Sequence, residues 1–314
     1  MNSRVHPNYK TNYRVTNWAQ YDRALVQRGD ITLWISDDAI AAWKPTPTGR
    51  RGAQQKFSDH AIETALSLRL VFKLPLRQAE GFLKSILSFM GVDLEAPDHT
   101  TLSRRGQRLD IKLDFAREDI PIHLVVDSSG LSILGEGEWA AAKHGKRGKR
   151  GWKKLHLGVD GNGVIVAQVL TDAADDDAKT GLHLIEDTVG KIASVTADAA
   201  YDTIAIYEAA RARGAKVIVP PIRTAKVTRR GPISAARDQT IGEVARIGRR
   251  QWRKESGYHR QGRVENTFFR YKRIIGDRLR ARQPSAQETE VMMACNILNR
   301  TVDIGMPVSR AVKN

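Results

Sequence analysis

The sequence predicts an α/β fold, a mixed β-sheet flanked by helices and preceded by a small all-helical unit. Three observations predict it. Residues 120–171 hold three strand-like apolar runs, two of them joined by Asp160-Gly161-Asn162-Gly163, which is β-hairpin chemistry. Residues 179–220 then alternate helical and strand patterns, as parallel strands with crossover helices do. Residues 57–110 instead show helical spacing of their apolar positions.

Residues 1–56 read as an N-terminal arm and linker, with an amphipathic stretch at 21–28 and a loop at 45–52 rich in Pro, Thr and Gly. Ser58 is placed to cap a first helix with Ile62, Ala65, Leu66 and Leu70 on its inner face. Pro75 suits the start of a second helix, with Leu76, Ala79, Leu83 and Leu87 on one face and Gly91 as the stop. Asp98 or Thr100 caps a short third helix bearing Arg104, Arg105 and Arg108. Residues 57–118 are therefore expected to form a helix-turn-helix-like DNA-binding domain whose last helix enters the major groove. An ordinary bundle with a solvated basic face is the other reading.

The strand run 120–126 ends at Asp127, and the run 192–197 ends at Asp198. Between them lie the hairpin strands 152–159 and 164–171 and a helix at 179–189; a helix at 203–213, stopped by Gly214, and a strand at 216–220 follow. Residues 222–255 form a basic insertion. Its first 33 positions, 222–254, carry ten Lys/Arg against two acids, without clean periodicity. A last long helix begins near Tyr258, and residues 306–314 read as a tail.

Length and composition narrow the function classes. A chain of 314 residues has room for one large or two ordinary domains. Its 51 Lys+Arg against 35 Asp+Glu, net charge +16, favour a polyanionic partner, nucleic acid first. The single cysteine, Cys295, excludes an internal disulfide and a cysteine-rich zinc site. It lies in the apolar stretch 291–295 and reads as a buried, inert thiol. The N-terminus lacks the apolar core of a signal peptide, and no run reaches the 18 apolar residues of a membrane span. The chain is expected to be cytoplasmic and nucleoid-associated, with no membrane contact.

Asp127, Asp198 and Glu265 are the candidate chemical centre. Adjacent parallel strands would bring both aspartates to one sheet edge, where two anions repel unless a cation joins them. Mg²⁺ suits such hard oxygen ligands, and a pair of such ions can hold the attacking and leaving oxygens of an in-line displacement. On the last helix Val264, Phe268, Tyr271, Ile275 and Leu279 form the core stripe. Helical arithmetic places Tyr258, Gln261, Glu265 and Lys272 together on a neighbouring face. Rival acids have simpler roles: Asp160 in the hairpin turn, and Asp175, Asp176 and Asp177 at a helix start where carboxylates suit the dipole.

The runs Val125-Val126-Asp127-Ser128-Ser129-Gly130-Leu131, Gly135-Glu136-Gly137-Glu138-Trp139, Lys153-Lys154-Leu155-His156-Leu157-Gly158-Val159-Asp160 and Asp198-Ala199-Ala200-Tyr201-Asp202 resemble bacterial DDE transposases of insertion-sequence family five, in the group around the 903 element. The likeness spans roughly residues 20–305. Its sharpest element is a signature of Tyr, two residues, Arg, three residues, Glu, six residues, Lys, matched by Tyr258, Glu265 and Lys272. Gln261 replaces the signature Arg, and Ala199 stands where Gly is usual. The resemblance implies a ribonuclease-H-like catalytic domain over 119–221 and 256–305, with Asp127, Asp198 and Glu265 as triad and metal ligands. It also implies two Mg²⁺ ions, with Mn²⁺ as a substitute. The expected activity is binding of element ends, hydrolytic DNA cleavage, and joining of the 3′-hydroxyl ends to target DNA. The partners would be terminal inverted repeats, target DNA and further copies of the chain, at least a dimer on DNA.

Tyr258, Gln261, Arg263 and Lys272 are expected at phosphates near the scissile bond, and Arg104, Arg105 and Arg108 on the helical unit. Lys146, Arg147, Lys149 and Arg150 belong to a basic run without an acid, which suits phosphate contact. Trp252 could stack on an unstacked base, packing being its simpler role. A non-catalytic DNA-binding regulator and a general ribonuclease-H-like nuclease are the alternatives.

Overall fold

The computed structural model describes residues 12–47, 49, 54–115, 120–133 and 151–312. The elements in order are β1 (Asn12–Val15), α1 (Trp18–Gln27), α2 (Asp37–Ala41), α3 (Asp59–Val71), α4 (Leu76–Phe89) and α5 (His99–Arg105). Then come β2 (Ile122–Ile133), β3 (Trp152–Val159), β4 (Ile165–Asp172), α6 (Asp177–Asp187) and β5 (Ile192–Thr196). After them follow α7 (Ile204–Ala212), β6 (Lys216–Ile218), α8 (Ala235–Ile247) and α9 (Arg249–Glu255). The chain closes with α10 (Gly262–Ile274), β7 (Arg278–Leu279), α11 (Pro284–Ile304) and β8 (Ser309–Val312).

The main sheet runs β4-β3-β2-β5-β6, with β7 added beside the far end of β2. β2, β3 and β4 are antiparallel neighbours, whereas β5 and β6 run parallel to β2. The antiparallel half exists because Asp160 folds the β3–β4 turn, its carboxylate accepting from the Asn162 and Val164 N–H groups. This is the mixed sheet that the ribonuclease-H-like resemblance implies.

Strand alternation divides the core in two. On one face Val125, Leu131, Leu155 and Leu157 meet Val264, Phe268 and Tyr271 of α10 and Val291 to Leu298 of α11. On the other, Leu124 and Val126 meet Leu184, Ile185, Tyr201 and Ile206 around α6 and α7. The first core continues into Ile62, Leu66, Leu83 and Leu102 of α3–α5, so these helices share their apolar interior with α11 and the sheet.

Local signals place the helices as expected. Ser58 accepts the Ala61 N–H, Asp98 accepts those of Thr100 and Thr101, and Asp176 accepts that of Lys179. Three stretches differ from the sequence reading. The strand with Asp127 does not end there: β2 runs on to Ile133 because residues 128–132 pair with β3, extending a hairpin past the end of β5. The insertion contains α8 and α9, organised by Asp238, whose carboxylate accepts from Thr228, Arg229 and Ser234. And the N-terminal stretch is more than an arm, since Trp34, Ile35 and Trp43 are buried in the first core. β1 pairs with β8, joining the two ends of the described chain.

Gly181 of α6 faces the Tyr201 ring so closely that a Cβ there would stand 2.8 Å from a ring carbon. Gly181→Ala should lower stability by about 1–3 kcal/mol through this overpacking. Gly242, inside α8 with nothing within 4 Å of its Cβ position, is the contrast. Gly242→Ala should raise stability by about 0.5–1 kcal/mol. Denaturant midpoints of the two variants test both signs.

Candidate active site

Register decides where the first two acids stand. Val125 of β2 lies beside Thr196 of β5 in parallel pairing. Two residues further along each chain stand Asp127, still within β2, and Asp198, just past the end of β5; strand alternation directs both to the face of Val125. That face also carries Val125 and Leu157 towards α10. Asp198 is fixed locally, for it opens a 3₁₀ turn (Ala199–Tyr201) and its carboxylate accepts the Ala200 N–H at 2.8 Å. Asp127 accepts the Ser128 N–H at 2.8 Å.

Glu265 arrives from the opposite side, in the first turn of α10, where the helix dipole favours a carboxylate. One turn earlier the Gln261 amide nitrogen reaches the Val126 carbonyl at 3.5 Å, so the start of α10 is held against the strand residue preceding Asp127.

Asp127 feels the other acids. Burial pushes the Asp127 carboxyl up to about 6; the Ser128 N–H opposes it, and the Asp198, Glu265 and Asp177 carboxylates add smaller upward contributions. Burial likewise raises the Tyr201 hydroxyl far above its ordinary range, with Asp177, Asp127 and Asp198 adding to it. Among the described residues, as their side chains stand, no group of three His, Cys, Asp or Glu is close enough to hold one ion. The acids thus share a field but not a common ligand distance. Gln261 Oε1 and Thr196 Oγ1 are buried without a hydrogen-bond partner.

Asp177 is the residue that sequence reasoning missed. Placed at the first position of α6, it meets Lys154 Nζ at 3.1 Å and His156 Nδ1 at 3.6 Å. His156 is wholly buried, its other ring nitrogen 2.9 Å from Thr171 Oγ1, and burial pushes its pKa down to about 4. The available signal was the run Lys153-Lys154-Leu155-His156, which puts a base and an imidazole on neighbouring positions of β3.

Two models of one family match the sequence, each described as a transposase DDE domain, over residues 26–136 and 119–300. The second alone spans more than half of the chain. The chain belongs to the DDE transposase family. It is accordingly an enzyme of the DDE type, a nuclease and strand transferase. Among solved structures, the chain shows a distant likeness to a piggyBac transposase determined by cryo-EM as a synaptic complex with hairpin DNA. That likeness has 12% identity and a TM-score of 0.38 over 92% of this chain and 76% of the other.

The remaining expected contacts of this DDE transposase fall into four groups. Arg263 and Lys272 on α10, Arg104 on α5 and Arg108 just beyond α5 are exposed. Tyr258 is partly buried under the Arg253 guanidinium, 5.0 Å from its ring centre, and burial raises its hydroxyl pKa. Gln261 and Arg105 are placed otherwise than expected, and Trp252 takes the simpler, packing role. Gln261 is buried and turned to Val126, because residues 258–261 form a 3₁₀ turn whose three-residue repeat breaks the α-helical face arithmetic. Trp252 is 4% exposed with its ring centre 6.3 Å from that of Tyr258, which leaves no face for a base. Arg105 is engaged by Asp59 and by the Phe57 carbonyl. The α4–α5 connection also has nine residues, 90–98, longer than the three or four of a helix-turn-helix. Lys146, Arg147, Lys149 and Arg150 lie outside the described residues. Among the described residues no helix is long and apolar enough to cross a membrane.

Between its ordinary 3.8 and about 6, Asp127 holds a proton in the folded chain that the unfolded chain has released, so stability falls as pH rises through this window. In metal-free buffer Asp127→Asn should therefore stabilise the fold by about 2 kcal/mol above roughly pH 7 and by little below roughly pH 4. Denaturation of both proteins across that range tests the sign; an Asn variant less stable at neutral pH contradicts it.

Proposed function

We propose that this transposase cuts DNA at the ends of its own element and joins the freed 3′-hydroxyl to a target strand. Asp127, Asp198 and Glu265 would hold the divalent ions, Mg²⁺ or Mn²⁺. The observation that supports this most is the shared register of Asp127 and Asp198, with Glu265 held opposite them by Gln261. The carboxylates of Asp198 and Glu265 act on the half-buried Asp127, whose proton is held up to about 6, and such oxygen donors suit a hard cation. Bound ions would supply charge stabilisation and lower the pKa of the attacking water or hydroxyl.

The chain's own residues do the rest. The strands fix Asp127 and Asp198, and the exposed Glu265 side chain closes the distance to them by rotation when substrate is present. Lys272 and Arg263, on the solvent side of α10, hold phosphates beside the reacting bond. Arg104 on α5 and Arg108 just beyond it, together with the exposed bases of the insertion, hold the duplex further away. Pairing of two element ends makes a dimer or larger assembly the working form.

Labelled DNA carrying the inverted repeats that flank the gene tests this reading. Asp127→Asn and Glu265→Gln should retain end binding and lose metal-dependent cleavage by at least about a thousandfold, as loss of a catalytic metal ligand does. Full cleavage by either variant ends the assignment. Binding without cutting by the wild type would mean a regulator, and cutting without preference for the repeats a general nuclease. End affinity should also fall steeply with salt, about tenfold or more between low and physiological ionic strength. A flat dependence contradicts extensive phosphate contact.

A further inference from the structure

We infer that Asp202 is a positioning residue, the joint through which the basic insertion holds Asp198 in place for metal binding. The inference rests on the reading of Asp198 as a metal ligand and goes beyond it. Asp198 and Asp202 are the two ends of one short, rigid turn. The Asp198 carbonyl accepts the Tyr201 N–H at 3.2 Å, and the Ala199 carbonyl accepts the Asp202 N–H at 3.2 Å. Tyr201 between them is buried against Gly181 of α6. A shift at residue 202 therefore reaches residue 198 with little slack.

The Asp202 carboxylate is fully buried and wholly engaged by the insertion. Arg237 of α8 donates to it twice, through Nε at 2.8 Å and Nη2 at 2.9 Å. The Ile222 N–H, at the entrance of the insertion, donates to the same group at 3.0 Å. One carboxylate thus holds both the way into the insertion and its main helix. Among the bases of residues 222–254, Arg237 is buried while Arg223, Lys226, Arg229 and Arg230 are exposed. Its neighbour Asp238 turns to the insertion's own loop instead. Burying an ion pair adds little stability over an apolar pair of similar size, but its fork geometry fixes position and orientation. Placed four residues from Asp198, such a pair sets where that carboxylate points. DNA held by the exposed bases of the insertion would act on the metal site through it.

The test is Mn²⁺ titration of the full-length, DNA-free protein, followed by electron paramagnetic resonance of free Mn²⁺, beside cleavage assays at varied Mn²⁺. Asp202→Asn, which leaves Arg237 buried and unpaired, should raise the half-saturating Mn²⁺ about tenfold in both measurements, as loss of an outer support for a metal ligand does. Because that variant can lose its fold, the double variant Asp202→Asn with Arg237→Met removes both charges and should show the same rise in a folded protein. Asp238→Asn loosens the insertion without touching the joint and should leave the half-saturating Mn²⁺ unchanged. An unshifted double variant, or an equal shift in Asp238→Asn, overturns the inference. Asp198→Asn separates the two levels: if it binds Mn²⁺ like the wild type, the metal assignment itself falls, and the inference with it.

Discussion

The parallel pairing of β2 with β5 is the constraint on which the site depends. It sets Val125 beside Thr196, and from that the level of two carboxylates follows. A slip of one residue would turn one of them to the opposite face, into the core around Leu184 and Tyr201. The register is protected because the strands are buried on both faces, so a slip would misplace Leu124, Val125 and Val126 together. Catalytic geometry is in this sense a by-product of apolar alternation.

Around this pair the protein keeps a concentration of negative charge. Asp127 stands close to three other acids and half out of water, a costly arrangement for a chain with ample arginine to neutralise it. Lys154 meets one of these acids, Asp177, while Arg237 is directed to Asp202 and Arg253 to the Tyr258 ring. A family whose reaction handles phosphodiesters gives that concentration of negative charge a reason.

Much of the fold was legible in the sequence, because local chemistry and tertiary context agree there. Ser58, Asp98, Asp160 and Gly214 announce their caps and turns by residue type, and each does what its type suggests. The core stripe of α10 followed from spacing alone, although Leu279 is buried in β7 and not in the helix. Legibility failed where long-range partners decide. Nothing near residue 127 tells that its strand continues, since the partner is β3, across a segment of different composition. The helices of the insertion have weak apolar periodicity and are held by Asp238 and Arg237, polar contacts that leave no hydrophobic pattern. Gln261 was misplaced because a 3₁₀ turn and an α-helix cannot be told apart over four residues. The candidate triad itself came from the family likeness and from strand ends, and the two clues pointed to the same residues.

The continuous interior shared by α3–α5, α11 and the sheet bears on how a duplex could travel over the protein. With no separate hydrophobic centre of its own among the described residues, the helical unit has little freedom to swing on a tether. A double helix gripped by α5 would meet the reaction centre at a set interval along its axis, so the molecule itself would serve as the ruler between grip and cut. Any adjustment to an element with different spacing would then fall on the DNA, by bending or unwinding, and not on the protein.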